Sequence, residues 1–350
     1  MIIPPKLKPG DRVAIVSLSS GMLGEPENSH ILTLGQKRLA EFGLEPVLMP
    51  NALKGRAYLK AHPEKRAEDL KAAFSDDSIQ GIICAIGGDD TYRLLPYLME
   101  DQAFVDQVRR TPKLFTGFSD TTTNHLMFYK LGLQTYYGPC LICDLGELSR
   151  EMLPYTKNAF RGYLDGFEPI RPSSVWYQER RDFSSAALGT ERVSHPETHG
   201  FELLQGSPVF EGELLGGCLE SIYDILTSAR YPNQGAVCQK YDLFPTNAMW
   251  QGKIMFLETC EEKPTPELLR RELMAIAQTG AFDVIRGILV GKPQDEVYYE
   301  AYKDVFREVI SDPRISILYN VNFGHALPRT VLPYGAKVRV NADQQVIEFL

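Results

Sequence analysis

Apolar runs alternate with helical patterns through the first third of the chain, and that alternation is what most limits its fold. RVAIVSLSS (12–20), EPVLMP (45–50), GIICAIGG (81–88) and KLFTGF (113–118) are rich in β-branched and aromatic residues. Between them lie helix-like stretches. One runs near 29–42, with Ile31, Leu34, Leu39 and Phe42 among its apolar positions and Gly43 as a stop. Another runs over 63–76 and starts on Pro63. DTYRLLPYL opens a third after the glycine pair, and a fourth follows GFSDTT. Strands alternating with helices predict a parallel sheet covered on both faces. Continuous apolar strands fit this, since such strands are buried on both sides. In open sheets of this kind ligands lie at the carboxyl ends of the strands. Three loops qualify: SLSSG, IGGDDT and GFSDTT.

The pattern changes near residue 165. We expect an amino-terminal α/β domain over 1–165 and a connector with an excursion over 166–205, the latter carrying Pro169, Pro172 and Pro196 among many polar residues. A carboxy-terminal domain over 206–350 begins with EGELLGGCLESIYDIL. It continues with strand KIMFLET (253–259), a helix near 266–279, strand VIRGILVG (284–291), a helix near 296–310 and strand ISILYNV (315–321). KVRVNADQQVIEFL alternates and turns, which predicts a terminal hairpin. The helix after KIMFLET is well signalled: Thr265 suits its cap, Pro266 its first position and Glu267 its dipole. Leu269, Leu273, Ile276 and Ala277 line one face. No internal repeat or low-complexity segment is present.

With 350 residues, 44% of them hydrophobic, the chain can bury two ordinary cores without disulfides. The net charge of −8 argues against a nucleic-acid polymer as partner. No signal-peptide pattern opens the chain, and no run approaches the roughly 18 apolar residues that span a bilayer. A cytoplasmic protein without a membrane partner is expected. The cysteines are too sparse for a disulfide framework. Cys140 and Cys143 form a C-x-x-C with no second pair to complete a metal site. They read as packed cysteines, with a redox pair or thiol enzyme as the functional alternative.

Ser119 sits where strand KLFTGF turns into a helix. Backbone amides and the positive end of the helix dipole converge at such a corner, where acyl transfer needs its nucleophile and oxyanion donors. Gly117-Phe118-Ser119-Asp120-Thr121 lacks the second glycine of a G-x-S-x-G elbow. The structural alternative is that Ser119 or Asp120 caps the helix. In IGGDDT, Gly87 and Gly88 allow close backbone approach and amides that could bind an oxyanion or phosphate; the alternative is a tight turn. A serine nucleophile needs a base and a group to orient it. Of the other histidines, which include His30, His62 precedes a helix, His125 lies within the helix after Ser119, and His195 and His199 sit in the polar connector. His325 follows a strand in a glycine- and proline-flanked loop, NFGHALPRTVLPYG. Glu258 ends strand KIMFLE, whereas Glu261 and Glu262 read as solvated charges.

Taken together, IGGDDTYRLLPYL, GFSDTT, LLGG-x-L, FLET-x-EEKP and FGHALPRTVLPYGAKVRV resemble the LD-carboxypeptidase family of serine peptidases, which includes the microcin C immunity proteins. The resemblance runs in order from GDRVAIVSLSS to LPYGAKV. It implies an amino-terminal parallel-sheet domain of flavodoxin- or Rossmann-like type joined to a carboxy-terminal mixed α/β domain, with the active site in the cleft and usually a homodimer. It implies a triad of Ser119, Glu258 and His325, with oxyanion donors from the amides of Gly88 and Asp120. No cofactor and no metal are implied. Substrate contacts would come from Gly87, Asp89, Trp176, Gly217 and Cys218. The family usually reads G-G-N-L where this chain has Gly216-Gly217-Cys218-Leu219, so a weak thiol donor replaces an amide.

Two branches of that family differ in substrate. The wall-recycling enzymes release D-alanine from murein tetrapeptides. The immunity enzymes cut an aminoacyl or peptidyl group from a modified adenylate. PSSVWYQERRDF, with Trp176, looks like the immunity branch's loop in which a tryptophan stacks on the nucleobase, and IGGDDT is closer to that branch than to R-G-G-Y-G. The alternative for Trp176 is a hydrophobic anchor for the connector. The expected partner is therefore a small peptide or an aminoacyl-nucleotide. A murein tetrapeptide carboxypeptidase, and a non-catalytic nucleotide- or peptide-binding protein, remain the rival readings.

Overall fold

The computed structural model describes residues 1–350 and divides into two units, each with its own sheet. The first holds Met1–Phe167 and Arg180–Arg192; the second holds Glu168–Glu179 and Val193–Leu350.

In the first unit, β1 (Arg12–Val16), β2 (Glu45–Leu48), β3 (Ile79–Cys84), β4 (Leu114–Gly117) and β5 (Tyr136–Tyr137) run parallel in the order β5-β4-β3-β1-β2. Val13, Ile15, Ile82, Ile83 and Phe115 are fully buried, as apolar strands covered on both faces require. Helices Ser29–Glu41, Pro63–Ser75, Gln102–Arg110, Thr122–Leu131 and Pro154–Asp165 belong to this unit. Two expectations shift in detail. Strand β3 stops at Cys84, so Gly87 and Gly88 lie wholly in the loop. The stretch DTYRLLPYL forms a 3-10 turn, Thr91–Leu94, before its helix begins at Leu95. Pro96 explains the break, because it lacks an N–H and suits a first helical turn.

In the second unit, β6 (Val175–Tyr177) and β7 (Ser194–Pro196) form an antiparallel pair with Trp176 opposite His195. A seven-stranded sheet follows, built from β8 (Glu202–Gln205), β9 (Val209–Cys218), β10 (Ile254–Glu258), β11 (Gly287–Gly291) and β12 (Ser316–Val321), with a two-residue β13 (Leu332–Pro333) lying outside it. Strands β14 (Lys337–Asn341) and β15 (Val346–Phe349) complete it as the expected terminal hairpin. The order is β15-β14-β9-β10-β11-β12-β8, parallel from β9 to β12 and antiparallel outside. The helix Pro266–Ala277 is capped as its sequence predicts, with the Leu268 amide donating to Thr265 Oγ1 at 3.3 Å. Helices Gln234–Lys240 and Asn247–Trp250 have no counterpart in the sequence reading. No helix is long and apolar enough to cross a membrane.

Candidate active site

Ser119 opens a 3-10 turn, Ser119–Thr121, directly after β4. Its φ of 65° is left-handed, a conformation that costs a non-glycine residue roughly 1–3 kcal/mol. No side chain caps the turn or the helix that follows it. Asp120 instead turns its carboxylate away, accepting from Ser19 Oγ at 2.7 Å and from the Thr91 amide at 2.9 Å. Burial pushes that carboxyl up to about 6 despite these bonds. The glycine loop lies against the serine. A Cβ on Gly87 would stand 2.7 Å from Ser119 Cβ and 3.0 Å from its Oγ, so only glycine fits there. Gly88 has φ 150° and backs onto Ser19.

Ser19 ties the three strand-end loops together. Its hydroxyl accepts from the amides of Asp89 (3.0 Å) and Asp90 (3.2 Å) while donating to Asp120. Asp90 forms a buried ion pair with Arg66, Nη1 to Oδ1 at 2.5 Å, and Arg66 also donates to the carbonyls of Leu18 and Ser19. The Ser20 amide donates to the Gly87 carbonyl at 3.1 Å. Sequence reasoning located the loops but missed Ser19, Asp90 and Arg66 as their cross-link. The doubled acid in IGGDDT was the one local signal; Arg66 reads as an ordinary helix residue.

His125 is structural, as its place within a helix suggested. Its Nε2–H donates to the Gly117 carbonyl at 2.9 Å, and Nδ1 accepts from the Thr135 hydroxyl at 2.8 Å. Burial pulls its pKa down to about 3. The thiols of Cys140 and Cys143 contact each other, and burial pushes Cys140 well above its ordinary value. That is the opposite of what an activated thiolate requires.

Glu258 and His325 meet in the second unit. Glu258 ends β10; its Oε2 accepts from the His325 amide at 3.0 Å, and Nδ1 lies 2.8 Å from Oε2 and 3.0 Å from Oε1. Two glycines wall the carboxylate. A Cβ on Gly324, whose φ is 87°, would stand 2.5 Å from Glu258 Cδ, and one on Gly291 would stand 2.7 Å from Glu258 Cβ. Glycine before the histidine is thus what lets the loop close on the acid. Burial pulls the imidazole pKa down, but the charge and hydrogen bond of Glu258, with Glu261, raise it to about 9. Glu261, expected as a solvated charge, is 57% exposed yet reaches Nε2 at 3.2 Å.

Gly217 and Cys218 end β9, where Cys218 is the register partner of Glu258. The Cys218 thiol is buried and donates to Glu220 Oε2 at 3.1 Å. Trp176 stacks on His195, rings 4.2 Å apart and inclined 22°. Lys292 Nζ stands 5.3 Å from the Trp176 ring, itself buried between Glu197 (2.9 Å) and Glu296 (2.6 Å). The Tyr177 amide donates to the Leu327 carbonyl at 3.0 Å, which bonds the tryptophan hairpin to the His325 loop. His195 and Lys292 were not foreseen as partners of Trp176; nothing in a polar connector marks them.

The chain matches the models of the LD-carboxypeptidase N-terminal domain over residues 13–138 and of the LD-carboxypeptidase C-terminal domain over 211–340. Among curated relatives, a probable murein peptide carboxypeptidase of Bacillus subtilis is 29% identical over 98% of this chain and 92% of its own. The microcin C7 self-immunity protein MccF of Escherichia coli is 25% identical over 81% of this chain and 77% of its own. Among solved structures, an MccF-like protein of Streptococcus pneumoniae in complex with AMP is 52% identical, with a TM-score of 0.93 over 97% of this chain and 98% of that one. On these matches, the chain belongs to the LD-carboxypeptidase family of serine peptidases.

Proposed function

We propose that this protein is a serine hydrolase that cuts the amide bond joining an aminoacyl or peptidyl group to a nucleotide-like moiety. The observation that carries the reading is the 52% identity to an MccF-like protein crystallised with AMP. The half-buried stack of Trp176 on His195 supports it, because an aromatic face that already pairs with a flat ring suits a nucleobase. In this reading Ser119 Oγ attacks the scissile carbonyl and His325 Nε2 takes its proton. Glu258 holds the Nδ1–H tautomer through the paired contacts described above. Nε2 must be free of Glu261 to act as base. The amides of Gly88 and Asp120 hold the oxyanion. His325 then protonates the leaving amine, and water resolves the acyl-enzyme.

A second reading rests on the Bacillus subtilis relative: release of D-alanine from a murein tetrapeptide by the same residues. The two separate in one assay. Wild type and Ser119→Ala are given an aminoacyl sulfamoyl-adenosine and, in parallel, a murein tetrapeptide ending in D-alanine. Serine-dependent cleavage of the adenylate alone supports the proposal. Serine-dependent release of D-alanine alone replaces it with the second reading. Cleavage of neither makes the binding-protein alternative the working one.

A further inference from the structure

The end of β9, the end of β10 and the loop after β12 bring three unlike side chains into one buried corner. Cys218, Glu258 and His325 each offer a ligand atom, and these atoms all lie within 4.8 Å of one another. Glu258 and Cys218 are register partners on adjacent strands, so the sheet itself sets that edge. The His325 nitrogen turned toward Glu258 is Nδ1, at 2.8 Å. A second carboxylate borders the corner: Glu220 Oε2 accepts the Cys218 thiol at 3.1 Å, while its Oε1 accepts the Cys260 amide at 2.9 Å. A thiol, an imidazole and a carboxylate are the donors that zinc prefers, and three protein ligands with one open position are a common zinc set.

We propose that Cys218 Sγ, a Glu258 carboxylate oxygen and His325 Nδ1 form a zinc-class site, and that metal bound there switches the hydrolase off. The inhibitory half rests on the function proposed above; the binding half does not. Tetrahedral zinc with bonds of roughly 2.0–2.3 Å holds its ligand atoms roughly 3.3–3.8 Å apart. The Glu258–His325 edge, 2.8 Å here, must therefore open by about half an ångström, while no edge of the triangle exceeds 4.8 Å. The proton balance explains the switch. Zinc displaces the thiol proton of Cys218 to solvent, and the proton that His325 held on Nδ1 passes through water to its Nε2 as the metal takes Nδ1. The imidazole then carries its one proton on Nε2, the nitrogen that must accept the proton of Ser119. Metal and general base use the same ring in opposite tautomers.

The test is a titration of chelator-treated full-length protein with Co²⁺, followed by Zn²⁺. One cobalt per chain should appear with a thiolate-to-metal charge-transfer band, and one zinc should abolish it. The band should vanish in Cys218→Ser and persist in Cys260→Ser. X-ray absorption of the zinc-loaded wild type, reading one sulfur among nitrogen and oxygen neighbours, serves if a variant fails to fold. Absence of the band, or its survival in folded Cys218→Ser, overturns the site. Ser119-dependent hydrolysis should fall in proportion to zinc occupancy and return with chelator; full turnover at full occupancy overturns the switch. If neither substrate is cut, the function above fails while the cobalt band still decides the site.

Discussion

Ser119 holds a left-handed backbone without being glycine, and that strain sits where the reading puts the nucleophile. Ser119→Ala should lower kcat on the cognate substrate about a thousandfold or more, with little change in melting temperature. Near-normal turnover would remove Ser119 from the mechanism. Gly324 acts through its neighbour. Gly324→Ala puts a methyl into the Glu258 carboxylate and asks alanine for φ 87°, so it should cost about 1–3 kcal/mol of stability and sharply reduce kcat. Equal thermal melts of the two proteins would contradict that. His125 sets an acid limit. Its folded pKa is depressed to about 3 from 6.5, so the unfolded chain takes up a proton that the folded one refuses. Stability should fall as pH drops through that window, by at most about 1.4 kcal/mol per pH unit from this group. His125→Gln should flatten the slope in denaturant titrations between about pH 6 and pH 4, whatever it does to absolute stability; an unchanged slope would assign the acid loss elsewhere.

At the scale of elements, the candidate residues stand at strand ends. Ser119 follows β4, Glu258 ends β10 and His325 follows β12. These positions were readable because an apolar run ending in small or charged residues marks where a buried strand meets solvent. The cross-links between loops were not. Ser19 reaches Asp120 across 101 positions and Lys292 reaches Glu197 across 95, and no local pattern encodes such pairs. The β6–β7 hairpin joins these levels, since it carries Trp176 and is bonded to the His325 loop at Leu327. Trp176→Ala should raise KM for an aminoacyl sulfamoyl-adenosine roughly five- to a hundredfold while leaving kcat close to wild type, the loss of one stacked base. An unchanged KM would make Trp176 an anchor of its own hairpin and nothing more.

Over the whole molecule, the chain leaves the second unit after Glu179, joins the first over Arg180–Arg192 and returns at Val193. Glu147 holds that excursion, taking Arg180 at 2.9 Å and Arg192 at 2.6 Å, with all three side chains more than nine-tenths buried. Breaking one partner of a buried ion pair leaves the others uncompensated, at about 3–5 kcal/mol. Glu147→Gln should therefore raise hydrogen exchange and protease cleavage within 180–192 well before the sheets exchange; uniform protection across the two proteins would refute the pin. The sequence by itself determined the alternation that builds two sheets, the capped helix at Thr265, the terminal hairpin and the strand ends where chemistry was to be sought. These follow from local period and propensity, which act over a few residues. Only the tertiary structure decided that Ser19 fastens three loops, that Glu258 is walled by glycines against His325, and that Cys218 stands beside both. Those contacts depend on strand register and loop closure, which are settled by packing the whole chain at once.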